Sequence, residues 1–96
     1  MLPDDPVLRG RLLRCARLLL AWSQARLAHE ASLTTGTVYA VEAGRFHGGS
    51  PSVCAVVRAL QSAGVVFLPA TEREGPGLRY AAVAGNMAIP GTGRDG

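Results

Sequence analysis

Apolar residues recur along the first two-thirds of the chain at intervals of three and four, the spacing of helices that bury one side. Leu13, Ala16 and Leu20 form one such stripe in a segment from Pro6 to about Ala21. Asp5 opens it with a side chain suited to capping free amides, and Pro6 fits the first helical position. Leu8, Leu12 and Leu19 make a second stripe beside the first, while Arg11 and Arg14 begin a polar face that stops at Leu18. The second stripe requires cover from the C-terminal segment or a second subunit. A short helix over 23–31 follows, capped by Ser23, with Leu27, Ala28 and Ala31 inward. A third runs over 34–43, capped by Thr34 and ended by Gly44, with Val38 and Val41 inward. Ser50-Pro51-Ser52 opens a fourth, carrying Val53, Val56, Val57 and Leu60 and closing at Gly64.

Beyond Gly64 the pattern changes. Val65–Leu68 and Leu78–Val83 read as short strands around a polar turn region, so a β-hairpin is expected over 65–84. Two strands alone are marginal, and the hairpin needs the helices or a partner strand. Residues 85–96 have no periodicity and read as a flexible tail; residues 1–5 are an N-terminal lead. The expected fold is one mainly α domain, a compact four-helix unit over 6–64 with a short C-terminal β-hairpin.

Composition narrows the function classes. Ninety-six residues, 48% of them hydrophobic, suffice for one core and leave little room for a deep catalytic cleft. No apolar run reaches the roughly 18 residues of a membrane span, and the start Met1-Leu2-Pro3-Asp4-Asp5 lacks the positive charge of a secretory signal. The expectation is a cytoplasmic protein without a membrane. Cys15 and Cys54 match no zinc or redox spacing and read as reduced core residues; with His29 and His47 they offer no ligand pair, so no metal or cofactor is expected. Trp22 and Phe67 read as core anchors. No spacing arranges nucleophile, base and oxyanion donor, so the chain is not read as an enzyme. No separate sensor domain is visible either, and regulation by a small molecule is not expected.

Charge is uneven. Residues 7 to 68 hold seven arginines (9, 11, 14, 17, 26, 45, 58) against Glu30 and Glu42, and every basic residue in the chain is arginine. The second and third helices, separated by a tight turn, have the spacing of a helix-turn-helix, whose second helix can enter the major groove of DNA while the first crosses the backbone.

In Ser23, Gln24, Leu27, Ala28, Ala31, Thr37, Val38, Glu42 and Gly44 the segment resembles the Xre family, the Cro and phage-repressor-like helix-turn-helix proteins, with their pattern S-Q-x-x-L-A-x-x-A-G-V-S-x-x-T-V-x-x-x-E-x-G. Leu33 and Thr34 are close substitutes for its Val and Ser. The resemblance covers about residues 6 to 64. Ser32 departs from it, standing where the family has glycine; in a left-handed conformation serine would cost on the order of 1 kcal/mol.

The resemblance implies double-stranded DNA as partner and a phosphate contact at Gln24 and the amides at the start of helix two, beside Ser23; the alternative for Gln24 is a solvated first-turn residue. It also implies a structural pair between Arg17 and Glu42. Base reading falls to Thr35, Gly36, Tyr39 and Ala40 of the recognition helix 34–43, with Thr34 at its start, Thr37 on a phosphate, and Arg45 on backbone or a base edge. This surface is bland. Without Arg, Asn or Gln on the helix, bidentate pairing to guanine or adenine is absent, so DNA shape and half-site spacing should supply much of the discrimination. Gly36 either permits close approach to a base pair or is merely tolerated. Arg9, Arg11, Arg14, Arg26 and Arg58 are phosphate contacts or simply a solvated face. The resulting expectation is a transcriptional regulator, a homodimer on a palindromic operator, joined by the hairpin or by helix one. The alternative is an antitoxin or other protein-interaction module on the same scaffold, with a protein partner and secondary DNA binding.

Overall fold

The order of elements follows from how each helix starts and stops. The computed structural model describes residues 2–81 and gives α1 (Pro6–Leu19), α2 (Gln24–Ala31), α3 (Thr35–Glu42), α4 (Pro51–Ser62), β1 (Val65–Leu68) and β2 (Gly77–Tyr80). All four helices open on a side-chain cap. Asp5 accepts the Val7 amide at 2.9 Å, Ser23 that of Arg26 at 3.0 Å, Thr34 that of Thr37 at 3.2 Å and Ser50 that of Val53 at 3.2 Å. Each cap satisfies one amide that the helix itself leaves unpaired.

The first three helices stop on a residue in the left-handed region: Ala21 (φ 58°), Ser32 (φ 58°) and Gly44 (φ 76°). In each, the amide of the following residue reaches back to the carbonyl five positions earlier: Trp22 to Arg17 at 3.1 Å, Leu33 to Ala28 at 2.8 Å, Arg45 to Ala40 at 3.0 Å. This is the Schellman closure. Its first instance shortens α1, which was expected to reach Ala21 and ends at Leu19 because Ala21 is already turning the chain. Ser32 does adopt the left-handed conformation in which serine is disfavoured.

Leu13, Ala16 and Leu20 of α1, Leu27 and Ala28 of α2, Val38 and Val41 of α3, Val53, Val56 and Leu60 of α4, and Val65 and Phe67 of β1 form one buried cluster. Trp22 and Val57 pack against it half-buried. Gly10 sets the distance between α1 and α3, since a Cβ there would collide with the carbonyl oxygen of Glu42. The two strands pair antiparallel, Val65 opposite Tyr80 and Leu68 opposite Gly77. The hairpin is fastened to the helices at its open end: the Tyr80 hydroxyl donates to the Leu19 carbonyl at 2.7 Å, and the Ala81 amide to that of Gly64 at 2.8 Å. Phe67 closes the core from this side. The second strand begins one residue earlier than expected, and its expected last residues, like the expected tail at 85–96, lie outside the described residues.

Three expectations about side chains are corrected. Cys15 and Cys54 are exposed rather than in the core, because each falls one step out of phase with the buried stripe of its helix. Ala31 is only half-buried. Arg9 belongs neither to a solvated nor to a phosphate-contacting face: it is 5% exposed, four residues before Leu13 on the core stripe, and donates to the carbonyls of Pro3, Asp4 and Phe46. Leu8, Leu18 and Leu19 remain exposed on the outer side of α1, Leu18 at 56%. Among the described residues, no helix is long and apolar enough to cross a membrane, and no group of three or more His, Cys, Asp or Glu side chains is placed to hold a metal ion.

Candidate nucleic-acid interface

The surface of interest is held by a buried charge network. Arg17, near the end of α1, faces Glu42, the last residue of α3, with Nε 2.7 Å from Oε2 and Nη2 3.1 Å from Oε1. Both side chains are nearly inaccessible, and this forked geometry is the strong form of a guanidinium–carboxylate contact. The remaining guanidinium nitrogen, Nη1, donates to the Trp22 carbonyl at 2.9 Å, and Gln24 donates its amide to Glu42 Oε1 at 3.1 Å. Four hydrogen bonds thus join the end of α1, the start of α2 and the end of α3. Removing one partner would leave a buried charge unpaired, a change that costs about 3–5 kcal/mol.

Above this base, α3 presents an uncharged edge. Thr35, Gly36 and Tyr39 are exposed, Tyr39 at 55%, and Thr37 and Ala40 are half-buried. A Cβ placed at Gly36 would meet nothing within 4 Å, so this edge is open in the folded chain. The Thr34 and Thr37 hydroxyls lie 2.9 Å apart, and one such contact consumes a single hydroxyl proton, leaving the other to donate outward. Neither α2 nor α3 has an acidic residue in its own first turn, where an anion would be favoured by the helix dipole. Ser23 is exposed beside that of α2.

Arg45 leaves the far end of α3 exposed, its guanidinium 5.7 Å from the centre of the Tyr39 ring. Arg26 stands in the same relation to Trp22, at 4.8 Å, and also pairs with Glu30 at 2.9 Å. Such stacking restricts a long side chain while its charge remains in water. Of the seven arginines between residues 7 and 68, five are exposed (11, 14, 26, 45, 58), and the only exposed acid in that span is Glu30.

The sites expected from sequence therefore divide. Thr35, Gly36, Tyr39 and Arg45 form one accessible strip. Gln24 is half-buried and oriented by Glu42, though a primary amide keeps a second hydrogen for another acceptor. Sequence reasoning missed the Arg45–Tyr39 stacking, which depends on the reversal at Gly44, and the inward course of Arg9, which the spacing to Leu13 does encode. No protein-family model matches the chain, and no curated protein matches it in sequence.

Proposed function

We propose that the protein is a sequence-specific double-stranded DNA-binding transcriptional regulator of the phage-repressor-like helix-turn-helix class, acting in the cytoplasm on nucleoid DNA by binding rather than catalysis. The observation that carries this reading is the open, acid-free edge of α3 between two helix N-termini without an acid in their first turns and an exposed arginine. Thr35, Gly36, Tyr39 and Ala40 read the groove, mostly through thymine methyls and shape, while Ser23, Gln24, Thr34, Thr37 and Arg45 hold phosphates. One such helix makes few base contacts, so two copies act on a palindromic operator.

The second copy docks on the outer side of α1. Leu8, Leu12, Cys15 and Leu19 recur there at spacings of four, three and four, the seam of a self-packing helix pair. Leu8→Glu together with Leu19→Glu, both exposed members of that stripe, should convert a dimer to a monomer in sedimentation equilibrium with the fold retained; an unchanged mass would move the interface elsewhere. The same exposed stripe favours the second reading, a protein-interaction module whose DNA contact is secondary.

Selection of bound fragments from random duplexes, followed by titration of the recovered site against salt, separates the two. Operator binding predicts one enriched two-fold motif and an affinity that falls steeply with salt, by about 0.9 in log–log slope for each phosphate contacted. An interaction module predicts no enrichment.

A further inference from the structure

Arg9 is a buried cation without a counter-charge. Its Nη1 donates to the Pro3 and Asp4 carbonyls at 3.4 and 3.3 Å and its Nη2 to Phe46, all neutral acceptors, and among the described residues no carboxylate pairs with it. Arg17 on the same helix shows the contrast, since its burial is matched by Glu42. Three contacts use three of the five guanidinium hydrogens, leaving Nε and one Nη2 hydrogen without a partner among the described residues. Arg9 also lines a cavity of about 610 Å³, within the roughly 300–1,000 Å³ of small-molecule sites.

The cavity is two-sided in chemistry. Arg9 lies on one wall, with its Nη1 so close over Gly48 that a Cβ there would stand 3.1 Å away. The lining also takes the core residue Val53, the half-buried Val57 and the exposed Cys54 and Arg58 of α4. Leu2 of the N-terminal lead also lines it, and Asp4 is the single acid of the lining. Two guanidinium groups against one carboxylate, beside an aliphatic wall, suit a ligand with one negative head and an apolar body. A polyanion would oppose Asp4, and a neutral lipid would leave Arg9 as it is.

We infer that this cavity binds an aliphatic monocarboxylate, its head on Arg9 and Arg58 and its chain along Leu2, Val53 and Val57. The site does not depend on α3 reading DNA and is tested without it.

Octanoate is the probe, with acetate and octanamide as the tail-less and uncharged comparisons. In a full-length Cys15→Ser variant, alkylation by iodoacetamide reports on Cys54 alone. A free octanoate concentration about ten times Kd should slow that reaction about tenfold, as mass action requires for a masked thiol. Equal concentrations of acetate or octanamide should leave it unchanged. The Arg9 Nε–H signal in a ¹H–¹⁵N spectrum should move with octanoate. Arg58→Gln, a change at an exposed position, should raise the octanoate concentration needed by about fivefold. Equal protection by octanamide would reduce the cavity to an apolar groove, and equal protection by acetate to an anion contact. Either result, or no protection by octanoate in the folded protein, overturns the inference.

Discussion

The two sides of α3 are built on opposite terms. Its inner end is specific: Glu42 accepts three hydrogen bonds from two other helices, the two from Arg17 buried, and small changes of geometry would strand a charge. Its outer edge is permissive, a threonine, a glycine, a tyrosine and an alanine with no bidentate hydrogen-bonding side chain among them. The difference teaches that this chain encodes the placing of a helix more tightly than what the helix meets. Under the proposed function, a helix held so firmly suits a readout of groove width and deformability, which depends on position more than contacts by a long, adaptable arginine would.

The largest effect should come from the inner side. Glu42→Gln should lower the free energy of unfolding by about 3–5 kcal/mol, read by urea titration, because Arg17 stays buried without its carboxylate. A loss below about 1 kcal/mol would mean that the network is not what fixes α3.

On the outer side the effects should be smaller and should fall on binding. Arg45→Ala should weaken binding to every duplex and reduce the salt slope by about one. Tyr39→Ala should reduce the preference for the selected operator, by about 1 kcal/mol, more than it reduces affinity for unrelated DNA. Equal loss on all sequences would show that the edge does not read bases.

Between the two sides lies the turn. Ser32→Gly should stabilise the fold by about 1 kcal/mol, since glycine adopts the observed φ of 58° without a Cβ penalty. No gain in thermal midpoint would mean that the serine contributes something its hydrogen bonds do not show.

The smallest effect concerns the hairpin. Burial raises the Tyr80 phenol above its ordinary value of 10.0. The neutral form is the one the fold favours, so this contribution is intact below pH 10 and is lost as pH rises through the raised value. Tyr80→Phe should cost about 0.5 kcal/mol at neutral pH, the low end for one hydrogen bond, and should remove that alkaline loss. Identical stability curves for both proteins at high pH would contradict this.

Much of the scaffold was legible in the sequence because its signals are local. Asp5-Pro6, Ser50-Pro51, Gly44 and Gly64 mark helix boundaries through cap chemistry, and the stripe of Leu13, Ala16 and Leu20 marks the core through periodicity alone. Arg9 was not legible because two rules conflict there: its spacing to Leu13 points inward and its charge points outward. Carbonyls from the adjoining N-terminal lead and from the distant Phe46 resolve the conflict, and neither announces itself in sequence. At Cys15 and Cys54 apolar character points inward while helical phase points outward, and phase decides. At the candidate interface, the free edge of α3 followed from which residues its core stripe leaves over. The stacking of Arg45 on Tyr39 did not, since it depends on how the chain reverses after the helix.

The central question is whether the outer edge of α3 meets DNA. Titrating the selected duplex into ¹⁵N-labelled protein tests this residue by residue. The largest amide shifts should fall on Thr35, Gly36, Tyr39 and Arg45, with Val66 and Arg79 of the hairpin nearly still. Shifts confined to the outer side of α1, with α3 unmoved, would contradict it.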